Sequence, residues 1–230
     1  VIEGSGLNAR LGKFFADRNA LKGNAAAQKE QFLKFCNDNK DNNLPAALIM
    51  LLSGDMDLTD LFPLLTDDAV YAKHPMVAPL KEMKQGMAKR LPGAPLMDVA
   101  IPDAEGKMHN LSDYVGKGKY VLVDFWASWC GPCCREMPNV VAAYEKYKAK
   151  GFEIVGISLD QEKGRWLDDV KRLGMTWPQL SDLKGWQSKA GAVYGIRAIP
   201  ANILFSPDGK VIAADLMGPA LHSKLEETLK

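Results

Sequence analysis

The chain has 230 residues, 47% of them apolar, and its 29 basic and 28 acidic side chains leave a net charge of +1. That length is enough to bury one good core and a smaller second unit. The balanced charge excludes the electrostatic footprint of a protein that binds nucleic acid or an anionic membrane. No apolar run approaches the roughly 20 residues that a membrane-spanning helix needs.

The start of the chain and its cysteine content limit the class of protein further. The first residues, VIEGSG, contain no initiator Met and no basic and hydrophobic leader. We therefore expect a removed or omitted segment before Val1. Four cysteines, two of them in a C-x-x-C pair, do not make a disulfide-stapled scaffold.

The N-terminal part of the chain has helical patterns, with apolar residues recurring on one face. A stretch rich in Pro and Gly, Leu91–Pro95, separates it from a strand-rich region. We predict a small helical bundle domain over residues 1–92 and a second domain over residues 93–230. The predicted helices of the bundle are Leu7–Lys22, Ala25–Asn37, Ala46–Leu52, Asp57–Leu65 and Met76–Arg90.

The bundle offers little chemistry. Cys36 lies on an apolar face, where a free cysteine is more often a small buried hydrophobe than a nucleophile. His74 has no second ligand at a fixed spacing, so a helix-end role is favoured over a metal site. Met76, Met83 and Met87 predict a core stripe or a contact with a partner, which makes the bundle a candidate surface for dimerisation.

Strands and helices alternate in the second domain. The order strand, helix, strand around the longest helix predicts a right-handed crossover between parallel strands, and the sequence Ser206–Gly209 predicts a hairpin turn. The predicted strands are Leu96–Ile101, Lys107–Asn110, Lys119–Phe125, Phe152–Leu159, Ala201–Phe205 and Lys210–Leu216. The predicted helices are Leu111–Tyr114, Cys130–Lys150, Glu162–Leu173, Gly185–Tyr194 and Ala220–Leu229.

The chemistry is concentrated where the strand Lys119–Phe125 passes into the long helix. This strand is almost wholly apolar, as expected of a parallel strand covered on both faces, and Asp124 interrupts it. Cys130 stands at the start of the helix, where unpaired N–H groups and the helix dipole favour a thiolate. Cys133 follows one turn later, so the two thiols form a two-electron switch. C-x-x-C alone would also suit half of a zinc site.

The residues around the cysteines decide between a redox pair and a zinc site. The run Asp-Phe-Trp-Ala-Ser-Trp-Cys-Gly-Pro-Cys, with Pro138 eight residues after Cys130, resembles the active-site segment of the thioredoxin superfamily. The longer chain looks like the extracytoplasmic TlpA/ResA-like thiol-disulfide oxidoreductases. The resemblance covers Pro95–Lys230. It implies an α/β, thioredoxin-like fold, with a central mixed sheet flanked by helices and an extra N-terminal β-hairpin, preceded here by the small helical domain.

The resemblance also assigns roles. Cys130 would be the attacking nucleophile and Cys133 the resolving thiol, and Asp124 would assist proton transfer with a pKa raised by desolvation; Asp124 could instead be a structural acid. Pro200 would be the cis proline facing the cysteines rather than an ordinary trans proline. The substrate-binding residues implied are Trp129, Gly131, Pro132, Ile199 and Pro200.

Some residues stay outside these assignments. Cys134 departs from the family pattern and is either a regulatory thiol or a tolerated, partly exposed helix residue. Trp126 and Trp177 are predicted to lie in or beside the core, whereas Trp129 belongs to a docking surface.

The expected activity is reduction of protein disulfides, since Gly-Pro between the cysteines and Ile before the proline both favour a reductant. The resemblance implies no organic cofactor, no metal, an extracytoplasmic location that is periplasmic or membrane-anchored, and a membrane or extracytoplasmic thiol electron donor. A competing hypothesis is a thiol peroxidase of peroxiredoxin type, although Ala127 stands where a peroxidatic site needs Thr or Ser. A further hypothesis is a partner-binding module with a secondary redox site.

Overall fold

The structure is a computed structural model that describes residues 6–52 and 56–229. The expected segment before Val1 lies outside the described residues. The described chain falls into two compact units, one ending at Lys84 and the other beginning at Gln85. The division into domains after residue 92 stays a prediction.

The first unit is helical, as its apolar periodicity predicts. Its core contains Phe14, Phe32, Ile49 and Tyr71, all almost fully buried. The predicted helix Asp57–Leu65 is wrong in its extent, because Pro63 has no N–H and a 3-10 turn, Phe62–Leu64, replaces its second half. Further 3-10 turns are Val70–Lys73 and Pro75–Val77. The α-helices are α1 (Gly6–Ala20), α2 (Ala25–Asp38), α3 (Leu44–Leu52), α4 (Leu58–Leu61) and α5 (Ala78–Ala88), the last of which extends past Lys84.

The structure shows the surroundings of the cysteine, the histidine and the methionines that the sequence singles out in the bundle. Cys36 is fully buried in the core of the first unit, and burial raises the pKa of its thiol to about 12. His74 accepts a hydrogen bond from the N–H of Met76 at 3.2 Å, which places it at a helix start as predicted. Met83 packs against the bundle's own core, whereas Met76 is 45% exposed.

The second unit is built on a five-stranded mixed sheet with the order β5-β4-β3-β6-β7, and the prediction of a thioredoxin-like α/β fold is confirmed. β3 pairs parallel with β4 and antiparallel with β6. β1 and β2 form a separate antiparallel hairpin. The strands are β1 (Ala100–Pro102), β2 (Met108–Asn110), β3 (Tyr120–Trp126), β4 (Phe152–Ser158), β5 (Gln179–Leu180), β6 (Ala201–Phe205) and β7 (Val211–Ala214).

The helices of this unit flank the sheet, and the largest difference from the predicted bounds lies at one interruption. The predicted helix Gly185–Tyr194 is interrupted at Ser188, whose side chain caps the second piece by accepting from the N–H of Gly191 at 3.5 Å. The helices are α6 (Gly131–Tyr147), α7 (Lys163–Arg172), α8 (Lys189–Val193) and α9 (Pro219–Thr228), with 3-10 turns at Leu111–Asp113, Lys148–Lys150 and Gly185–Gln187.

One strand prediction is wrong, and one short strand was missed. The regular strand near the start of the second unit is limited to Ala100–Pro102, because the chain before it bonds to the β6–β7 hairpin instead: the N–H of Leu96 donates to Gly209 O at 2.9 Å. The sequence patterns do not predict β5, because a strand of two residues after Trp177-Pro178 is too short to show an alternation of apolar and polar side chains.

The central strand determines where the chemistry lies. β3 is buried from Val121 to Trp126, and four residues separate its end from the start of α6. In open α/β sheets, ligands and reactive groups lie at the carboxyl ends of parallel strands. The C-x-x-C segment therefore stands at that end of β3, supported by a packed core.

Candidate active site

Cys130 and Cys133 form a disulfide at the start of α6. Their Cα atoms are 5.3 Å apart. Cys130 is the N-cap residue, and its sulfur accepts a hydrogen bond from the N–H of Cys133 at 3.2 Å. Because this N–H and the positive end of the helix dipole both face the sulfur, the reduced form of Cys130 is favoured as a thiolate. Cys130 is 5% exposed and Cys133 1%, so Cys130 is the more accessible of the two.

A second segment reaches the cysteines from the loop before β6. The Ile199-Pro200 peptide bond is cis, and Cys130 Sγ lies 3.6 Å from the carbonyl oxygen of Ile199. Within the described ranges, the N–H of Ile199 donates to no acceptor. Ile199 is half-buried, and its unpaired N–H is able to pair with an extended substrate backbone.

The remaining residues predicted to bind substrate surround the disulfide on its solvent side. Gly131 and Pro132 are exposed between the cysteines, and the Trp129 ring is 51% exposed. Trp129 lies 5.9 Å, between ring centroids, from Trp186, a residue that the sequence did not place at the site. Trp126 and Trp177 are buried, as predicted.

Asp124 is buried on β3, where no hydrogen-bond donor among the described residues compensates its carboxylate. Its side chain is 4% exposed, and none of the described residues hydrogen-bonds its carboxylate. Desolvation, and secondarily the negative charge of Glu136, raise the pKa of Asp124 to about 7. A carboxyl group that titrates near neutral pH can both take up and release a proton under physiological conditions.

Glu136 is a site residue that the sequence patterns did not reveal. It lies on α6 one turn after Cys133, and its charge acts on Asp124. Its Oε1 accepts from the N–H of Gly218 at 2.7 Å and from Asn139 Nδ2 at 2.8 Å. The i+3 spacing from Cys133 on the same helix was a signal that could have indicated it.

Asp160 is the second missed residue, and it supports the loop that leads to Cys130. It is 1% exposed and follows the end of β4. Its carboxylate accepts from the N–H of Ser128 at 3.0 Å, from the Ser128 hydroxyl at 2.6 Å and from the Ser158 hydroxyl at 2.7 Å. The available signal was the predicted parallel pairing of β3 and β4, because the residues that follow two parallel strands lie at the same edge of the sheet.

Cys134 faces a different set of groups. Its sulfur lies 3.5 Å from the carbonyl oxygen of Ser128 and 3.9 Å from both Asp169 Oδ2 and Arg172 Nη2. Hydrogen bonding to Arg172 lowers the pKa of Asp169. Cys134 is a free, half-buried cysteine.

The described part of the chain contains neither a cluster of metal ligands nor a membrane-spanning helix. In residues 6–52 and 56–229, no group of three or more His, Cys, Asp or Glu side chains is arranged to hold a metal ion. No helix in the same ranges is both long and apolar enough to cross a membrane.

Comparison with known proteins identifies the relatives of the second unit. Residues 92–214 match the model of the AhpC/TSA family. The thiol-disulfide oxidoreductase ResA of Bacillus thuringiensis subsp. konkukian is 36% identical over 150 residues, which cover 65% of this chain and 80% of that protein.

Solved structures agree with this match. The thioredoxin domain of a thiol-disulfide oxidoreductase from Bacteroides vulgatus superposes with a TM-score of 0.56 at 32% identity, covering 61% of this chain and 99% of that one. A thiol-disulfide oxidoreductase from Bacteroides fragilis superposes with a TM-score of 0.55 at 34% identity, covering 59% of this chain and 99% of that one. These matches lie over the part of the chain that contains the disulfide.

Proposed function

Because the chain belongs to the AhpC/TSA family and is a thiol-disulfide oxidoreductase, we propose that Cys130 and Cys133 are its redox pair and that the reduced pair donates two electrons to protein disulfides. The observation that carries the proposal is the position of Cys130 Sγ, which accepts the N–H of Cys133 at the start of α6 and lies 3.6 Å from Ile199 O. The Cys130 sulfur therefore has on it the N–H of Cys133, which stabilises a thiolate, and has near it the backbone of Ile199, which is suited to pair with a substrate strand.

The reaction starts from the dithiol. The Cys130 thiolate attacks one sulfur of the substrate disulfide, forms a mixed disulfide, and expels the other substrate sulfur as a thiolate that takes a proton. The Cys133 thiol then loses its proton and attacks Cys130 Sγ. The Cys130–Cys133 disulfide forms, the second substrate thiolate leaves, and two electrons have moved from the enzyme to the substrate.

Asp124 is proposed as the proton acceptor for Cys133. Its support is a pKa near 7 with no competing donor among the described residues, so it is able to exchange protons at the pH where the enzyme works. Its further support is the electrostatic interaction with Glu136, which lies on α6, the helix that holds Cys133. General-base assistance contributes about 10²-fold or more.

The direct test traps the mixed disulfide. The reduced Cys133→Ser variant, mixed with a protein disulfide substrate, is expected to accumulate a covalent adduct at Cys130 that a thiol reductant dissolves. The matched variant, Cys130→Ser, should form none. An adduct on Cys133 in the second variant, at a rate equal to the first, would contradict the assignment of the nucleophile.

The direction of electron flow is tested by the reduction potential of the pair. We expect a value near that of thioredoxin, about −270 mV, rather than that of an oxidant such as DsbA, about −120 mV. The measurement equilibrates the enzyme in a dithiothreitol or glutathione buffer and counts alkylated thiols by mass. A value at the oxidising end would replace the reductase by an enzyme of disulfide formation.

A thiol peroxidase is the weaker candidate, although the family match alone allows it. Three residues before Cys130 stands Ala127, which is fully buried and has no hydroxyl to hold a peroxide. Stopped-flow mixing of the reduced enzyme with hydrogen peroxide is expected to show slow consumption.

The proposal also includes the electron donor, the location and the self-association of the enzyme. After each turnover the disulfide needs two electrons from an external thiol donor, and the similarity to ResA supports a location outside the cytoplasm with a membrane or extracytoplasmic donor. Self-association through the bundle is also part of the proposal, and the exposed apolar side chains of the first unit, Phe15 at 41% and Leu51 at 67%, are the candidates for its contact. Sedimentation of the full chain and of its Leu51→Glu variant tests this: a dimer that the variant abolishes is expected.

A further inference from the structure

A groove lies beside the disulfide, between two tryptophan rings. Trp129 and Trp186 are each 51% exposed, and their ring centroids are 5.9 Å apart with the planes tilted by 57°. The groove has a volume of about 500 Å³, with Leu159 in its lining and Gln161, Lys184 and Gln187 as its polar members. Two half-exposed indoles side by side make their exposed apolar surface contiguous, which is typical of a binding surface.

Both tryptophans are presented by loops that the structure holds in place. Trp129 follows Ser128, whose N–H and hydroxyl both donate to the buried Asp160. The turn that contains Trp186 begins at Gly185, which has a φ of +57° and has Gln161 packed against it: a Cβ there would lie 3.2 Å from Gln161 Cγ. A side chain at this position would be strained by the backbone and crowded by Gln161.

Hydrogen bonds to Asp182 also hold the turn that contains Trp186. The Asp182 carboxylate accepts from the N–H of Lys184 at 3.2 Å and from the N–H of Lys189 at 2.8 Å, one on each side of Trp186. Rigid loops lose little conformational entropy when a ligand binds, so rings that are already in place bind more tightly than mobile ones.

The groove adjoins the reacting cysteine through Trp129, which lines the groove and is bonded to Cys130. The Cys130 sulfur lies 3.6 Å from the carbonyl oxygen of Ile199, whose N–H is unpaired within the described ranges. A polypeptide that pairs with Ile199 while its cysteine meets Cys130 must therefore pass neighbouring side chains near Trp129. Among the described residues no carboxylate lies within 4 Å of the Lys184 ammonium, so this edge of the groove tolerates neutral or acidic chains better than basic ones.

We infer that the Trp129–Trp186 groove holds a large apolar side chain of the substrate polypeptide, above all an aromatic one, while a cysteine close to it in sequence reacts with Cys130. The inference rests on the proposed function and deepens it by naming the substrate class. Those substrates are extended or unfolded protein segments with an aromatic residue near the disulfide. Aromatic rings pack on tilted indoles in the edge-to-face geometry that such pairs prefer.

The test uses two peptides with the same intramolecular disulfide, one with Phe and one with Ala beside a cysteine, reduced by the dithiol enzyme and followed by thiol alkylation and mass. Partial burial of a phenyl ring predicts a kcat/KM about tenfold higher for the Phe peptide, expressed in KM rather than kcat. In Trp186→Ala the ratio should fall to about one, and Trp186→Phe should restore most of it by the same burial. Met108→Ala, which shortens an exposed side chain on β2, should keep the wild-type ratio.

The outcomes separate the inference from the function it rests on. Equal kcat/KM values for the two peptides with the wild-type enzyme would overturn the inference and leave the disulfide reductase in place. A ratio that survives in Trp186→Ala would also overturn it. Failure to reduce either peptide, together with no adduct at Cys130 in the Cys133→Ser variant, would instead contradict the proposed function.

Discussion

Asp124 and Asp160 are both almost fully buried in the second unit, yet the protein surrounds them in opposite ways. Asp124 is 4% exposed and has no hydrogen-bond donor among the described residues, whereas Asp160 is 1% exposed and accepts from Ser128 twice and from Ser158. Burial without donors penalises the charged form and raises the pKa of Asp124 to about 7. Donors, rather than depth of burial, therefore distinguish the surroundings of the two acids.

Replacing Asp124 tests this contrast with the largest expected effect. Its pKa is about 7 in the folded protein and about 3.9 in an unfolded chain. Between about pH 4 and 7 the folded state binds the proton that the unfolded state has lost, so the stability of the wild type falls as pH rises through this range. In the oxidised protein, the free energy of unfolding of Asp124→Asn minus that of the wild type should therefore rise by about 4 kcal/mol from pH 4 to pH 8.

Urea unfolding of both proteins across this pH range measures the gain, and taking the difference between two pH values removes any constant effect of the amide. Asp168→Asn, which removes an exposed carboxylate of α7, controls for the loss of one surface charge. A stability difference that does not change with pH would show that Asp124 is ionised throughout.

Replacing Asp160 should change stability in the opposite direction. In Asp160→Asn an amide N–H₂ replaces one acceptor oxygen and meets donors from Ser128 or Ser158, so at least one buried donor loses its partner. We expect a loss of about 2 kcal/mol in the free energy of unfolding. Ser128→Ala, which removes one hydroxyl donor and leaves the carboxylate its other partners, should cost less. An Asp160→Asn variant as stable as the wild type would end the contrast between the two acids.

The smallest effect sharpens the cause of the Asp124 shift. Glu136→Gln removes the like charge but keeps an Oε1 acceptor for the N–H of Gly218. Because desolvation is the larger cause and remains, the pKa of Asp124 should fall by less than about one unit, the equivalent of 1.4 kcal/mol. Carboxyl ¹³C chemical shifts followed against pH measure it. A return of the pKa to the ordinary Asp range would make Glu136 the main cause.

The residues that could be identified from their own sequence patterns are neighbours along the chain. Cys130, Cys133 and Asp124 lie within one strand and the start of one helix, where apolar periodicity and spacing single them out and the family resemblance then assigns their roles. Ile199 and Pro200 were assigned through the family resemblance, because nothing local connects them to a cysteine 69 residues away. The confirmed fold depended on the same resemblance together with the alternation of strands and helices.

The missed residues share the opposite property. Asp160 meets Ser128 across 32 positions, and Glu136 meets Gly218 across 82. Trp186 was assigned no role at the site, although its partner, Trp129, was already a predicted docking residue. Each of these contacts depends on how the segments pack in the folded protein, and the local sequence pattern around either residue does not predict it.

The sequence by itself determined the reactive turn, since a buried strand, two cysteines one helical turn apart and a helix start are all set by short-range periodicity and spacing. Only the tertiary structure decided which buried acid has donors, which carbonyl lies against Cys130 and which tryptophan completes the groove. These depend on distances between segments far apart in the chain, and such distances follow from the joint packing of the core rather than from any one stretch of residues.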